Sequence, residues 1–166
     1  MDATKEQIAI ANSTSRAAGA VGARALVPRV IREIATPSER LLDFGAGHKA
    51  IHALSLRSEG YQVTAHEFGV NIDPKLHDPS ALDHQYDLVY ASNVLNVQSS
   101  DRMLRATITQ IRGAVTPSGS AVVNYPISPR KLDLKPSELQ EALGGYFSRV
   151  ERVAGTSSAP VWRCWA

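Results

Sequence analysis

Two glycines one residue apart, Gly45 and Gly47, follow the apolar run "LLDF" and precede the helix-like "AIHALSLRSEG". A glycine turn between strand and helix lets a ligand approach the backbone closely, because no Cβ is in the way and φ can be positive. The helix that follows then aims N–H groups and a partial positive charge at that ligand. Three acids surround the turn. Asp43 ends the strand just before Gly45, Glu67 ends the next strand-like run twenty residues beyond Gly47, and Asp78 comes shortly before a third. A carboxylate at Glu67 suits the two hydroxyls of a ribose. Asp43 suits a cationic amino group and Asp78 an adenine amino group. Two ligand classes use such a turn. Nicotinamide dinucleotides need a spacing that "GAGHKA" meets loosely, with Ala50 as the third small residue; the other class is S-adenosylmethionine (SAM). An acid at the strand end, two residues before the first glycine, meets an ammonium better than a pyrophosphate. A chain of 166 residues also leaves little room for the separate catalytic domain most dehydrogenases carry. SAM is the expected cofactor.

The elements that position these residues alternate. "YQVTAHEF", "YDLVYAS" and "SAVVNYP" read as strands and "DRMLRATITQIRGAV" as a helix, which predicts a mostly parallel sheet flanked by helices. "KPSELQEALGGYF" adds a helix with Ser137 as expected N-cap and the glycine pair as its stop. The tail "SRVERVAGTSSAPVWRCWA" reads as two antiparallel strands, with Trp162, Cys164 and Trp165 packing on the last. Upstream, residues 1–38 read as a helical cover of two helices joined by "NSTSRAAGAVG", and residues 39–166 as the core of one domain.

Composition narrows the classes. A formal net charge of +2 lacks the strong basic excess of an obligate nucleic-acid binder. One cysteine, Cys164, allows no internal disulfide, and "MDATKEQ" lacks the layout of a secretory signal, so a cytoplasmic location is expected. No uncharged apolar run reaches the roughly 18 residues of a membrane span. His48 and His52 have the four-residue spacing of metal ligands on a helix, yet no third ligand matches them, and no metal site is expected. Arg16, Arg24, Arg29 and Arg32 fit a solvated helix face better than a nucleic-acid surface.

Taken in order, the motifs resemble the class I SAM-dependent methyltransferases, whose Rossmann-like fold is a three-layer α/β sandwich. "LLDFGAG" is similar to their first glycine motif, "VTAHEF" to the strand ending in the ribose-binding acid, and "HDPSAL" to the adenine-side motif. "YDLVYASNVLNV" is similar to the fourth-strand motif, and "IRGAVTPSGSAVV" to the helix, turn and fifth strand after it. The chain as a whole resembles a small phage or prophage methyltransferase, and "SNVLNV" also resembles methyltransferase-like proteins found with DNA-modification systems. The resemblance implies that Gly45, Ala46 and Gly47 contact the methionine part of SAM, with Asp43 towards its amino group. It implies Glu67 on the ribose, Phe68 against the adenine, Asp78 at the adenine amino group, and Ser92 and Asn93 lining the cofactor. Asn93 is the candidate for orienting the methyl acceptor, a nucleic acid or a small molecule.

Three departures stand against that pattern. The usual third glycine falls at Lys49, which adds charge near the cofactor carboxylate or points into water. Only eighteen residues separate Glu67 from Tyr86, too few for a helix, a strand and a second helix, so the third strand is expected to be short or absent. "SNVL" stands where amino-methylating DNA enzymes carry a proline pair. Asn93 and Asn96 suit either substrate contact or capping of the next turn. A SAM-binding partner subunit or sensor without transferase activity is the alternative, and a nicotinamide dinucleotide binder the third reading.

Overall fold

The computed structural model describes residues 4–14 and 25–166. Six strands form one sheet: β1 (Arg40–Phe44), β2 (Gln62–His66), β3 (Tyr86–Ala91), β4 (Val115–Asn124), β5 (Arg149–Gly155) and β6 (Pro160–Trp165). Their order is β2-β1-β3-β4-β6-β5. The first four are mutually parallel, while β6 runs antiparallel to both β4 and β5. The expected mostly parallel Rossmann-like sheet with an antiparallel ending is therefore present.

The period of two along each strand divides the core into two layers. Leu42, Phe44, Val89, Ala91, Val123 and Trp162 face one side, with Met103, Leu104, Ile108 and Ile111 of α4 (Asp101–Gly113) and Leu139 and Leu143 of α5 (Pro136–Leu143) buried on that side or along those helices. Leu41, Leu88, Tyr90 and Val122 face the other, covered by α2 (Leu26–Ile34) and α3 (Ile51–Ser58). The helix α1 (Lys5–Thr14) lies on the α4 side, where buried Gln7 donates to Gln110 and Glu6 pairs with Arg102. Arg32 pairs with Glu59 at 2.8 Å and Arg29 is exposed, whereas Arg16, Arg24 and most of the "NSTSRAAGAVG" connection lie outside the described residues.

Two local readings change. α5 starts one residue before Ser137, at Pro136; proline has no N–H to lose at the first helical position, and its fixed φ suits the start. The residue before it, Lys135, takes the N-cap place, and its N–H reaches the Glu138 carboxylate at 3.4 Å. The segment "TPSG" is not a turn before β4 but lies within it, as an irregular stretch where the pairing jumps from Tyr86–Val115 to Leu88–Ser120.

Between β2 and β3 there is no strand and no α-helix, only two short 3₁₀ turns at Gly69–Asn71 and Ala81–Asp83. β2 is thus the edge of the sheet. Its outward carbonyls are nevertheless covered: Arg57 Nε donates to Val63 O at 2.7 Å and the Asp78 N–H to Ala65 O at 2.9 Å. One residue of the shortened segment occupies the place of a neighbouring strand, which blunts the edge against pairing with another chain.

Candidate functional site

The site is built at the C-terminal ends of β1, β2 and β3. Strand order reverses at β1, with β2 on one side and β3 on the other, and the crevice at such a switch point is where open parallel sheets bind ligands. Gly45 and Gly47 leave β1 with φ of 71° and 82°, conformations that a side chain resists. A Cβ on Gly45 would sit 2.9 Å from Val94 Cγ2, so the glycine turn and the turn after β3 touch. A Cβ on Gly47 would meet nothing within 4 Å; the space over this residue is open.

Hydrogen bonds fix the turn against the end of β2. The Gly45 N–H donates to His66 Nδ1 at 3.4 Å, the Ala46 N–H to His66 O at 2.8 Å, and the Gly47 N–H to Glu67 Oε1 at 3.0 Å. Glu67 Oε2 accepts from the Phe68 N–H at 2.6 Å. Burial raises the Glu67 carboxyl above its ordinary range, and those two N–H groups oppose the shift. His77, 4% exposed, completes the brace: its Nδ1 accepts from the Asp73 N–H at 2.9 Å, which places its proton on Nε2, 2.8 Å from Gly47 O. His66 is held neutral, its pKa pushed down to about 3 chiefly by burial, and it packs between Phe44 and Phe68 with ring centroids at 4.8 and 4.4 Å.

Asp43 lies beneath this turn. The strand period turns it to the α3 side, and its register partner is Tyr90, whose hydroxyl donates to Asp43 Oδ2 at 2.9 Å. At 1% exposure its pKa is raised to about 7 by burial, against the Tyr90 hydroxyl and the Ala53 N–H in the first turn of α3. The start of α3 therefore points part of its N–H array at Asp43. The helix also begins later than expected, at Ile51, after Ala50 in the left-handed conformation (φ 46°). Lys49 and His48 stand exposed before it while His52 is buried within it, so the two histidines do not share a helix face. Among the described residues no group of three His, Cys, Asp or Glu is arranged to hold a metal ion.

The other expected residues separate into two sets. Phe68, 7% exposed, packs into the core from the end of β2. Ser92 and Asn93 are half-buried after β3, across the crevice from the glycine turn. Asn93 (φ 59°) forms a reciprocal pair with Asn124 at the end of β4: its N–H donates to Asn124 Oδ1 at 2.7 Å, and its Oδ1 accepts from Asn124 Nδ2 at 2.8 Å. Asp78 is set apart on the outer edge of β2, its Oδ1 accepting from the Ser80 N–H and hydroxyl at 2.8 and 2.7 Å, which holds its pKa low. Asn96 is buried and clamps a later loop, its Nδ2 on Pro129 O and its carbonyl accepting from the Lys131 N–H. His66, His77, Tyr90 and Asn124 were not anticipated. Strand register could have found Tyr90 opposite Asp43, but no sequence signal ties His77 to Gly47, thirty positions away.

Trp162 and Cys164 are buried on β6, as expected for packing residues, and burial pushes the Cys164 thiol up to about 12. Among the described residues no helix is long and apolar enough to cross a membrane.

No family model and no curated protein sequence matches the chain. Solved structures do. A TehB-like SAM-dependent methyltransferase from Corynebacterium glutamicum superposes with a TM-score of 0.64 at 16% identity, over 95% of this chain and 97% of that one. DhpI in complex with SAM and HEP gives 0.61 at 16%, over 99% and 100%. The T. thermophilus 16S rRNA N2 G1207 methyltransferase, with AdoMet and guanosine, gives 0.61 at 15%, over 89% of this chain; the chain spans 43% of that protein. At these identities the likeness is one of fold, and the fold is the one these methyltransferases share.

Proposed function

We propose that the chain binds SAM at the glycine turn and transfers its methyl group to an acceptor lying against Asn93. The carrying observation is the junction at the switch point: Gly47 is open above and bonded to Glu67 below, so a ligand over the turn meets bare backbone and a half-buried carboxylate together. These residues fit SAM. Gly45, Ala46 and Gly47 receive its methionine part and Glu67 its ribose, with Phe68 beside the adenine and Ser92 and Asn93 on the β3 side. Asp43 supports the turn from below and answers the amino group's charge from there. Asp78 has one carboxylate oxygen committed to Ser80 and the other left for the adenine amino group. NAD is disfavoured on the same ground as in the sequence, since the acid before the first glycine is retained as a buried carboxyl under the turn.

When bound, SAM supplies a methyl carbon made electrophilic by its sulfonium. The protein's contribution is positioning. Asn124 holds the Asn93 amide by its oxygen, which leaves the Asn93 Nδ2 hydrogens to orient an acceptor's lone pair. One observation favours a non-catalytic SAM-binding subunit or sensor as second reading: the turn's three N–H groups are already committed to His66 and Glu67.

Calorimetric titration with SAM, S-adenosylhomocysteine and NAD tests the proposal. Micromolar binding of the first two without NAD is expected, followed by transfer of labelled methyl to an acceptor from DNA, RNA or small-molecule pools. Binding without transfer to any of them selects the second reading; no binding of either sulfur compound refutes both.

A further inference from the structure

The same edge of the sheet carries a second feature. β4 leads from Asn124 through Tyr125 and Pro126 to Ile127, and the residues just before β6, Ser157 and Ser158, lie beside it because Asn124 pairs with Val161. Together with Arg130, Lys135 and Ser137 they line a groove of about 430 Å³. Two cationic residues and three serines are among those that line this space, and no carboxylate residue lines it.

Arg130 is unusually well anchored. Its Nε donates to Pro126 O at 2.8 Å, its Nη2 to Tyr125 O at 3.1 Å and to Ser158 O at 2.7 Å, and its guanidinium lies 4.0 Å from the centroid of the Tyr125 ring. Every partner is neutral. Among the described residues neither Arg130 nor Lys135 is paired with a carboxylate, in contrast to Arg32, Arg102, Arg105 and Arg149. The main chain thus fixes the guanidinium in place without cancelling its charge, and its Nη1 hydrogens are left over. A guanidinium whose rotamer is already set loses little entropy when it accepts an oxyanion.

The groove is also tied to the β3 side, since Asn96 holds Pro129 and Lys131 of the same loop. The three residue-to-residue steps from Asn124 to Ile127 span at most roughly 10 Å of extended chain. We infer that this groove is the distal subsite for the methyl acceptor and that the acceptor is anionic, carrying a phosphate or carboxylate group about that far from the atom to be methylated. This rests on the methyltransferase reading for its second half, while oxyanion binding stands on the groove alone.

The test is a titration of the isotopically labelled full chain with pyrophosphate, followed by backbone amide resonances. Resonances of residues 127–137 and 156–158 should move, and Arg130→Gln and Lys135→Gln should each raise the dissociation constant at least fivefold. Lys135 is exposed, so its variant keeps the result readable if Arg130→Gln loosens the loop. Malonate in a parallel titration distinguishes a carboxylate from a phosphate source; movement with either supports the inference. Silence of the groove with both, or equal affinity in wild type and both variants, overturns it. S-adenosylhomocysteine titrated into the same sample should move residues 45–47 and 67–68 instead. Failure there sinks the cofactor reading and leaves oxyanion binding to be judged on its own result.

Discussion

The two ends of the strand edge are built by opposite means. At the β1–β2 end the backbone is held by two buried histidines, neutral His66 and the Nε2–H tautomer of His77, and by the half-buried Glu67 carboxylate, all bonded to the glycine turn. At the β4–β6 end an exposed loop is held by a permanently charged Arg130, bonded to main-chain oxygens and left without a counter-ion. One end spends its polar groups on shaping a cradle, and the other keeps charge facing outward. The contrast teaches that the first should respond to pH and to single deletions through the shape of the turn, and the second through ionic strength.

The largest expected effect is at Asp43. Its folded-state pKa of about 7 lies above the ordinary value of 3.8, so the folded form holds the proton more tightly than the unfolded form. Stability from this group is full at low pH and falls as pH rises from about 4 through 7, by on the order of 4 kcal/mol in all. Denaturation of wild type and Asp43→Asn between pH 4 and 8 should show the variant losing that part of the slope; identical slopes would remove Asp43 from the account. The same ionisation predicts that cofactor affinity improves as pH passes 7 and that Asp43→Asn flattens this trend.

Next comes Glu67→Ala, which removes the acceptor for two N–H groups and the proposed ribose partner. Affinity for S-adenosylhomocysteine should weaken by roughly 1 to 3 kcal/mol. Unchanged affinity would separate the turn from cofactor binding. His77→Ala should lower stability by about 1 to 2 kcal/mol, because the part-buried Gly47 carbonyl loses a donor, and His77→Gln should restore part of it. Thermal melting of the three proteins measures this. Asn124→Ala acts on the far side of the crevice; it should reduce the methyl-transfer rate through Asn93 about fivefold, since the lost pair is worth roughly 1 kcal/mol, while leaving cofactor affinity within a factor of about two. A parallel loss of affinity would mean that the Asn93 pair belongs to the cofactor half. Lys49→Ala should be nearly silent, within about 0.5 kcal/mol in stability, because the residue is exposed before α3.

Much of the architecture was legible because hydrophobic period and glycine placement are local signals. "LLDFGAG" announced strand and turn, the eighteen residues after Glu67 announced the lost third strand, and the alternation of segments announced the parallel sheet. The start of α5 lies two residues before the one a Ser137 cap implies, because Ser137 is a good cap in isolation whereas Pro136 already fits the first helical position. "TPSG" has the composition of a turn; its place inside β4 depends on the pairs on either side of it, Val115 with Tyr86 and Ser120 with Leu88, whose partners lie about thirty residues upstream. At the site, Gly45, Gly47 and Glu67 were placed together by their spacing. The direction of Asp43 followed only once the strand's period was joined to its register.

The sequence by itself determined the strand–turn–helix order, the acid at each strand end and the shortened segment after Glu67, since each depends on residues adjacent along the chain. Only the tertiary structure decided that Tyr90 and Ala53 meet Asp43, that His77 holds Gly47, that Asn124 holds Asn93, and that Arg130 faces a groove without a counter-charge. Those are contacts between residues tens of positions apart, set by which strands lie side by side and by how far a side chain of given length reaches across them.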